Sequence, residues 1–350
     1  MSALHSTYII AEIGQNHNGD MRLAKQLIDI AAMPIYDRYT NTQLKGVDAV
    51  KLTKRDLSEE LTVDAYEKPY DTPYAFGATY GKHREALEFT YDQHAELESY
   101  ARSKGLGFVE TLTSIKTLSL LDQIDIDAIK VASRDLNNLP LLEEMARHQK
   151  KIILSTGMSD EREIDDAVNT ILKYHDQLVI LHCISQYPAA YANLNLMTIP
   201  YLKEKYPFDI GFSDHSIGIV IAPVAVAMGA TFIEKHITLN RKMKGSDHYG
   251  SLEPEGLWRM VRDIRNVEIS LGEKKKIVPN EVRPFKEKLE RSIAAVRDIE
   301  PGHILAEEDL CLLSPGTGIK WQHRNHIIGK KTCRFIPKHT HIHEEDVADE

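Results

Sequence analysis

Short apolar segments alternate with longer segments of helical periodicity through most of this 350-residue chain. Apolar runs this short predict buried strands, and the longer segments carry apolar residues at helical spacing. Eight such strand and helix units in one domain predict an α/β fold, a (β/α)8 TIM barrel, with a doubly wound sheet as the alternative. The predicted strands are residues 8–13, 47–52, 107–111, 128–131, 151–154, 178–182, 209–212 and 231–236.

The pattern changes after Leu271. The charged segment 272–286 contains Pro279 and Pro284 and predicts a linker, and the rest has short apolar runs between Gly and Pro turns. We therefore predict a barrel domain at 1–271, a linker at 272–286 and a small β-rich domain at 287–350.

Two features interrupt the barrel pattern, an insertion at 34–45 and a long polar loop at 54–91. Long loops at the carboxyl ends of barrel strands usually shape the substrate pocket. The loop that follows the second strand is thus a candidate for substrate recognition.

Composition excludes several classes of partner. A net charge of -9 argues against binding to nucleic acid, whose phosphates favour basic surfaces. The first seven residues lack the apolar run of a signal peptide, and no run approaches the roughly 20 apolar residues of a membrane span. These features predict a cytoplasmic protein with no membrane partner. Three cysteines without paired spacing predict reduced core thiols rather than disulfides or a zinc site.

Two histidines lie at the ends of the last two predicted strands. The segment between His215 and His236 is apolar and has the length of one crossover helix, so both should lie at the same rim of the barrel. Two imidazoles at one rim, with Asp214 and Glu234 beside them, predict a divalent metal site. Two hydrogen-bonded rim histidines without a metal are the alternative.

Two lysines lie within otherwise apolar strands, Lys51 in the context Asp-Ala-Val-Lys and Lys130 in Asp-Ala-Ile-Lys. An unpaired buried ammonium costs several kcal/mol, so each lysine should meet an anion. We predict that the anion is the phosphate and carboxylate of a small substrate. A Schiff-base lysine and an internal salt bridge with Glu12, Glu110 or Asp135 are the alternatives.

Other strand ends supply polar groups that suit this chemistry. The hydroxyls of Ser133, Ser155 and Ser213 and the backbone of the turn at 155–157 are candidate donors to the bound anion. Glu12 and Glu234 are each a candidate general acid or base, a group supporting the metal ligands, or part of a structural salt bridge. Asp247 lies just beyond the eighth strand and is either a ligand for a sugar hydroxyl or water, or a turn residue.

Several motifs resemble the sialic acid synthases, the N-acetylneuraminate synthase family, and they occur in a fixed order on matching elements. A segment from 291 to 345, with Pro-Gly-Thr-Gly at 315–318, resembles the antifreeze-like SAF domain (a β-clip) of the same family. The resemblance covers essentially the whole chain. The motifs are AEIGQNHNG at 11–19, YGKHR at 80–84, LSTGM at 154–158, HCISQYP at 182–188, GFSDH at 211–215 and EKHIT at 234–238.

The resemblance implies condensation of phosphoenolpyruvate with an open-chain hexose or aminohexose, giving a 2-keto-3-deoxy nonulosonic acid and phosphate. It also implies a domain-swapped homodimer, in which the SAF domain of one subunit covers the barrel of the other. His215 and His236 would hold Mn²⁺ or Mg²⁺, and either Glu12 or Glu234 would transfer protons. The implied phosphoenolpyruvate ligands are Lys51, Thr111, Lys130, Ser133, Ser155, Ser185 and Ser213. The implied sugar ligands are Glu12, Asp135, Tyr187, Asp247 and the residue at position 314.

The chain departs from the family on the sugar side. Ser314 stands where the family has an arginine that contacts the acyl-amino group of the sugar, and Arg134-Asp135 replaces a small residue and Glu. Thr53 stands where a glutamine is common. We therefore predict a substrate other than N-acetylmannosamine. The alternatives are a synthase of a shorter or non-acylated keto-deoxy sugar acid, a Schiff-base aldolase, and a homologue without turnover.

Overall fold

The computed structural model describes residues 6–37 and 39–348, and the chain forms two compact units, Met1–Gly272 and Glu273–Glu350. In the first unit eight parallel strands close into a barrel, which confirms the TIM barrel and excludes the doubly wound sheet. Each strand pairs with its neighbours along the chain, and the first pairs with the eighth. The strands are β1 Tyr8–Gly14, β2 Ala49–Lys54, β3 Gly107–Leu112, β4 Ala128–Val131, β5 Ile152–Ser155, β6 Leu178–Cys183, β7 Asp209–Asp214 and β8 Phe232–His236.

Helices surround the barrel and bury the outward apolar side chains of the strands. Local sequence fixes several of their first turns. The helix from Tyr91 begins with a capping box of Thr90 and Gln93, and the helix from Glu161 begins with the same device at Asp160. The α-helices of this unit are Met21–Ala31, Leu57–Glu60, Val63–Glu67, Tyr80–Glu85, Tyr91–Ser103, Leu139–Arg147, Glu161–Leu172, Thr198–Lys205, Ile221–Ala227 and Pro254–Leu271.

Three crossovers differ from the simple alternation. The connection from β3 to β4 has the 3-10 helix Lys116–Asp122 where an α-helix was expected. The crossover helix expected between His215 and His236 spans only Ile221–Ala227, because the residues before it form the loop that follows His215. The insertion at 34–45 contains a hairpin of Ile35–Asp37 and Thr42–Leu44.

The second unit is β-rich, as predicted. Strand β9 Ser292–Ala295 pairs antiparallel with β10 Leu310–Leu313, and β11 Lys331–Thr332 pairs antiparallel with β12 Val347–Ala348. Its own apolar core consists of Ile293, Ala295, Ile299, Leu305, Leu310, Ile327, Ile336 and Ile342. Its helices are the α-helix Arg283–Leu289 and the 3-10 helices Asn280–Val282, Glu307–Asp309, Trp321–His326 and Glu344–Asp346.

The structure differs from two expectations, which concern the linker and the cysteines. Part of the segment expected to be a linker is helical, since Asn280–Val282 and the start of Arg283–Leu289 fall within 272–286. Cys183 is a buried free thiol, but Cys311 is only partly buried and Cys333 is exposed. The core prediction is wrong for Cys333 because this residue directly follows a two-residue strand in the small unit. Within the described residues, no helix has the length and apolarity needed to cross a membrane.

Candidate active site

A layer of polar side chains lies directly beyond the apolar interior of the barrel. That interior is filled by residues such as Ile10, Ala49, Val109 and Ala128. Side chains alternate along a strand, so the residue two positions further also points inward, nearer the carboxyl end. The side chains at that position all line one cavity of about 380 Å³, and in strand order they are Glu12, Lys51, Thr111, Lys130, Ser155, Cys183, Ser213 and Glu234. We call this layer the barrel floor.

Lys51 forms an ion pair on the barrel floor. Its Nζ is 2.7 Å from Glu12 Oε2 and 3.7 Å from Glu234 Oε2, and it donates to Thr111 Oγ1 at 3.0 Å. The register of the barrel explains the first contact, because Glu12 and Lys51 are partners in the β1–β2 pairing. The salt-bridge alternative thus holds for Lys51 in this structure.

Lys130 is equally buried but lacks such a partner. Its Nζ donates to Ser155 Oγ at 2.7 Å and to the carbonyl of Val131 at 2.9 Å. Among the described residues no carboxylate lies within ion-pair distance of it, and burial lowers its pKa. Bound phosphate or carboxylate would stabilise the charged ammonium here. Lys130 is therefore the clearest indication of an anion site.

The two floor carboxylates differ in their electrostatics. Burial raises the pKa of Glu12 to about 7, although the charge of Lys51 opposes that rise. Burial also opposes ionisation of Glu234, but the charges of Lys130 and Lys51 outweigh it and lower the pKa of Glu234 to about 2. Glu234 also accepts a hydrogen bond from Ser213 Oγ at 2.9 Å. Glu12 can therefore exchange a proton near neutral pH, whereas Glu234 stays ionised.

The next inward position beyond the floor carries both predicted histidines. The rings of His215 and His236 have centroids 5.6 Å apart, and Tyr187 packs against His215 with centroids 4.0 Å apart. His215 Nδ1 donates to the carbonyl of Ile184 at 2.9 Å, so Nε2 is the nitrogen that could bind a metal. The prediction that the crossover brings both histidines to one rim is confirmed.

These residues fit a divalent ion. Among the described residues, His236 Nδ1 and Glu234 Oε2 are buried and have no hydrogen-bond partner. Burial lowers the pKa of His236 to about 4, which keeps its imidazole neutral. In the described part of the chain, no three His, Cys, Asp or Glu side chains form a metal cluster by themselves. A two-histidine site completed by water and substrate oxygens suits this arrangement.

Asp214, which was expected to support the metal site, does not. Its carboxylate accepts from Lys235 Nζ at 2.8 Å and from Ser216 Oγ at 2.6 Å. Asp214 and Lys235 neighbour floor residues in sequence, so the alternation of side chains turns both outward from the barrel. The prediction that Asp214 supports the metal site is therefore wrong.

The remaining predicted site residues divide into two groups. Tyr187, Asp247, Ser133 and Ser185 line the same cavity as the floor, and Asp247 accepts a hydrogen bond from Gln15 Nε2 at 3.1 Å. Ser133 Oγ accepts from the backbone N–H of Gly157 at 3.0 Å.

Two predicted sugar ligands are not among the residues that line this cavity. Asp135 is outside the cavity lining and lies 3.4 Å from Arg134 Nε. Ser314 belongs to the second unit, where its hydroxyl donates to the carbonyl of Leu289 at 2.9 Å. Their contacts with sugar remain predictions.

From the sequence we assigned no role to Gln15, Arg55 and Arg84, and we noted Thr53 only as a departure from the family, yet all four line the cavity. Gln15 and Arg84 stand within the motifs AEIGQNHNG and YGKHR, so those motifs carried a signal. Arg55 directly follows the last residue of β2, and Thr53 lies one inward position beyond Lys51. The alternation of side chains would have identified both.

A polar floor with two buried lysines under a pair of histidines defines an enzyme site for an anionic substrate at the carboxyl end of a TIM barrel. Residues 40–276 match the NeuB family, and residues 290–348 match the SAF domain. The chain belongs to the NeuB family of nonulosonic acid synthases, which are phosphoenolpyruvate-dependent transferases acting on a sugar and using a divalent metal.

Relatives match over nearly the whole chain. The N,N'-diacetyllegionaminic acid synthase of Legionella pneumophila is 35% identical, over 93% of this chain and 90% of its own length. The human N-acetylneuraminate-9-phosphate synthase is 34% identical, over 97% of this chain and 92% of its own length. A crystal structure of N-acetylneuraminic acid synthetase from Leptospira borgpetersenii with citrate is 32% identical, with a TM-score of 0.68 over 81% of this chain and 90% of that one.

Proposed function

We propose that the chain condenses phosphoenolpyruvate with an open-chain hexose or aminohexose other than N-acetylmannosamine. The observation that carries the anion site is Lys130, a buried ammonium that lies on the same floor as Lys51 and has no carboxylate partner in the part of the chain that the structure describes. A phosphate and a carboxylate, the two anionic groups of phosphoenolpyruvate, match two lysines surrounded by hydroxyl donors. The proposed donors are Thr111, Ser133, Ser155, Ser185 and Ser213.

The reaction forms one carbon–carbon bond and breaks one bond to phosphate. The methylene carbon of phosphoenolpyruvate attacks the aldehyde carbon, and the aldehyde oxygen takes up a proton to become a hydroxyl. Water adds to C2, and the C2–O bond to phosphate then breaks as the 2-keto group forms and the added hydroxyl loses its proton. The lysines neutralise the substrate anion, and Glu12 accepts the proton of the attacking water because its pKa lies near 7. The ionised Glu234 stabilises the positive charge that develops at C2.

We propose His215 and His236 as the protein ligands of Mn²⁺ or Mg²⁺. Such an ion would polarise the aldehyde oxygen and orient the aldehyde toward phosphoenolpyruvate. Tyr187, which packs against His215, then helps to confine the sugar over the floor.

The most specific part of this proposal is the identity of the sugar aldehyde. The names of the relatives give different products, a 9-phosphate in the human protein and a diacetylated acid in the Legionella protein, so similarity does not select the sugar. Ser314 cannot provide the bidentate contacts of an arginine to an acyl-amino group. We therefore expect N-acetylmannosamine to be a poor substrate.

A phosphate-release assay tests this function. The protein is assayed with phosphoenolpyruvate, Mn²⁺ or Mg²⁺, and a panel of hexoses, acylated aminohexoses and their 6-phosphates. We expect metal-dependent phosphate release with at least one aldehyde and a lower kcat/KM for N-acetylmannosamine than for the best substrate. N-acetylmannosamine as the best aldehyde would refute the sugar assignment. Turnover of pyruvate, with trapping by borohydride, would instead indicate a Schiff-base aldolase.

We also propose the homodimer in which the SAF domain of one subunit covers the barrel of its partner. The match of both segments to domains of this family supports the proposal. Light scattering should give a dimer for the active protein, and a fully active monomer would contradict it.

A further inference from the structure

The loop that follows β1 carries the sequence Gln15-Asn16-His17-Asn18, whose side chains have no part in the proposed mechanism. Gln15, Asn16 and Asn18 each hydrogen-bond to the loop that follows β8, residues 237–252. Strands β1 and β8 pair to close the barrel, so these contacts join the first and last strands at the carboxyl rim. We call the contacts of Gln15, Asn16 and Asn18 with this loop the seam.

Asn16 holds the backbone of the second loop close to Asp247. Its side chain is buried, and its Nδ2 donates to the carbonyl of Ile237 at 2.8 Å and to Ser251 Oγ at 2.9 Å. Ser251 Oγ donates in turn to the carbonyl of Asp247 at 2.6 Å. The backbone of Asp247 is therefore tied to the end of β1 through one buried amide.

Asn18 holds the residue that follows Asp247. The side chain of His248 is buried, and its Nε2 lies 3.2 Å from Asn18 Oδ1, while its Nδ1 lies 2.7 Å from Thr238 Oγ1. Burial lowers the pKa of His248, and a neutral ring that donates from Nε2 accepts at Nδ1. The loop is thus fastened on both sides of Asp247.

Gln15 contacts the carboxylate of Asp247 itself. Its Nε2 donates to Asp247 Oδ1 at 3.1 Å and to Ser246 Oγ at 3.0 Å, and Ser246 Oγ donates to the same Oδ1 at 2.7 Å. In the part of the chain that the structure describes, no donor lies at hydrogen-bond distance from Asp247 Oδ2. Asp247 lines the cavity, so one oxygen of its carboxylate is held and the other can accept from a ligand.

The seam contains polar atoms that do not stabilise the fold. Gln15 Oε1 and Asn16 Oδ1 are buried and have no hydrogen-bond partner among the described residues. A buried acceptor without a partner costs free energy. Local choices that cost stability are expected where function requires a particular geometry. The orientation that the seam gives to Asp247 therefore explains these residues better than stability does.

We propose that Gln15 is a positioning residue, which orients the carboxylate of Asp247 so that Oδ2 accepts a hydrogen bond from a hydroxyl group of the sugar. This inference rests on the proposed function and on the expectation that Asp247 contacts the sugar. A carboxylate oxygen is a strong acceptor for a hydroxyl, and fixing its direction before the sugar binds lowers the cost of binding. Asn16 and Asn18 hold the loop, while Gln15 sets the direction of the side chain.

The kinetics of Gln15→Met test this role. Methionine has nearly the length of glutamine but no N–H donor. We expect the KM for the best sugar of the panel to rise about tenfold, the effect of one hydrogen bond to a charged group, and the KM for phosphoenolpyruvate to change less than threefold. Gln123→Met, at an exposed position, should match the wild type in both values. An unchanged KM for the sugar, or an equal rise for both substrates, would overturn the proposal.

Thermal unfolding separates positioning from a structural role. Gln15→Met removes the unpaired Oε1 together with the two N–H contacts, so we expect its Tm to lie within about 2 °C of that of Gln123→Met. A lower Tm accompanied by weaker use of both substrates would show that the seam only stabilises the loop, and would overturn the positioning role.

A double-mutant cycle shows whether Gln15 acts through Asp247. Asp247→Asn keeps the shape of the side chain and removes its charge. If Gln15 acts by orienting that carboxylate, Gln15→Met should change the KM for the sugar less than twofold in the Asp247→Asn protein. A tenfold effect in both backgrounds would show that Gln15 acts independently of Asp247 and would contradict the proposal.

Metal binding needs a separate measurement, because Asp247 and His236 line the same cavity. Calorimetric titration with Mn²⁺ alone should give the same affinity for Gln15→Met and for the wild type. A loss of Mn²⁺ affinity as large as the rise in the KM for the sugar would show that the seam serves the histidines, and the proposal would then be wrong.

Direct sugar binding distinguishes this proposal from the proposed function, since calorimetry with the same panel of sugars requires no turnover. Weaker sugar binding by Gln15→Met, without phosphate release by either protein, would support the positioning role and refute the synthase. Phosphate release by the wild type, with equal sugar affinity in both proteins, would refute the positioning role and leave the synthase intact. Failure of the wild type to bind any sugar of the panel would also overturn the positioning role.

Discussion

The floor and the mouth of the barrel are built by different means. Floor residues such as Lys51 and Glu234 are positioned by strand register, at every second residue of a hydrogen-bonded barrel. At the mouth, Arg84 is carried by the short helix Tyr80–Glu85 in a long loop, and its position depends on side-chain contacts with Glu60 and Tyr80. A scaffold fixed by register suits chemistry common to a family, whereas loops can change with the substrate. Floor variants should therefore affect all sugars alike, and mouth variants should not.

The largest effect should come from the histidine pair. Replacing His215 or His236 by Ala should reduce metal-dependent turnover by about 10³-fold or more with every aldehyde, because the ion that polarises the aldehyde is lost. Phosphate release measured after chelator treatment and metal titration checks this. Near-wild-type turnover in either variant would show that the metal is bound elsewhere, and circular dichroism confirms that the fold is retained.

The next largest effect concerns the pH dependence of kcat/KM, which we expect to follow the ionisation of Glu12. The pKa of Glu12 is raised to about 7, so the carboxyl is protonated below that pH and ionised above it. A general base must be ionised, so kcat/KM should rise with pH through about 7. Glu12→Gln should abolish this rise of kcat/KM with pH and should lower kcat/KM by about 10²–10³-fold. A wild-type rate that falls as pH rises through 7 would assign Glu12 as an acid instead.

Loss of a floor lysine should cost somewhat less. Lys51→Ala and Lys130→Ala should each lower kcat/KM for phosphoenolpyruvate by about two orders of magnitude, as for a desolvated charge pair that loses one partner. The loss should be the same for each sugar in the panel. Lys151→Ala, next to the start of β5, is a control that should leave kcat/KM unchanged. A loss of kcat/KM that differs from one sugar to another would contradict the view that the floor serves phosphoenolpyruvate and the mouth serves the sugar.

The floor was largely predictable from the sequence because strand periodicity is local. Lys51 and Lys130 stood out as charges within apolar strands, and the histidines were identified from the ends of two adjacent strands. Position at a strand end also led us to place Asp214 near the metal, and that prediction is wrong. Side chains alternate along the strand, so Asp214 points outward, where Lys235 donates to its carboxylate.

The mouth was less predictable because its contacts are non-local. Arg84 and Glu60 are separated by a loop whose short helices pack on one another, and no periodicity in the sequence indicates that Arg134 shares the same carboxylate. The motif YGKHR marked the segment as part of the family without indicating what its arginine touches. The ion pair between Lys51 and Glu12 was anticipated only as one of several alternatives, because the choice among carboxylates depends on barrel register.

The smallest expected effect concerns the sugar preference and the role of Ser314, which belongs to the second unit. Ser314 is exposed, and its hydroxyl donates to the carbonyl of Leu289, so an arginine there would cost no buried side-chain contact among the described residues. If the missing guanidinium explains the sugar preference, Ser314→Arg should raise kcat/KM for N-acetylmannosamine by about tenfold, the value of one charged hydrogen bond. It should leave the KM for phosphoenolpyruvate within twofold of the wild type. Gln322→Arg, which adds the same charge at another exposed position of that unit, should change neither value. An equal gain in both variants would show that added charge, rather than position 314, selects the sugar.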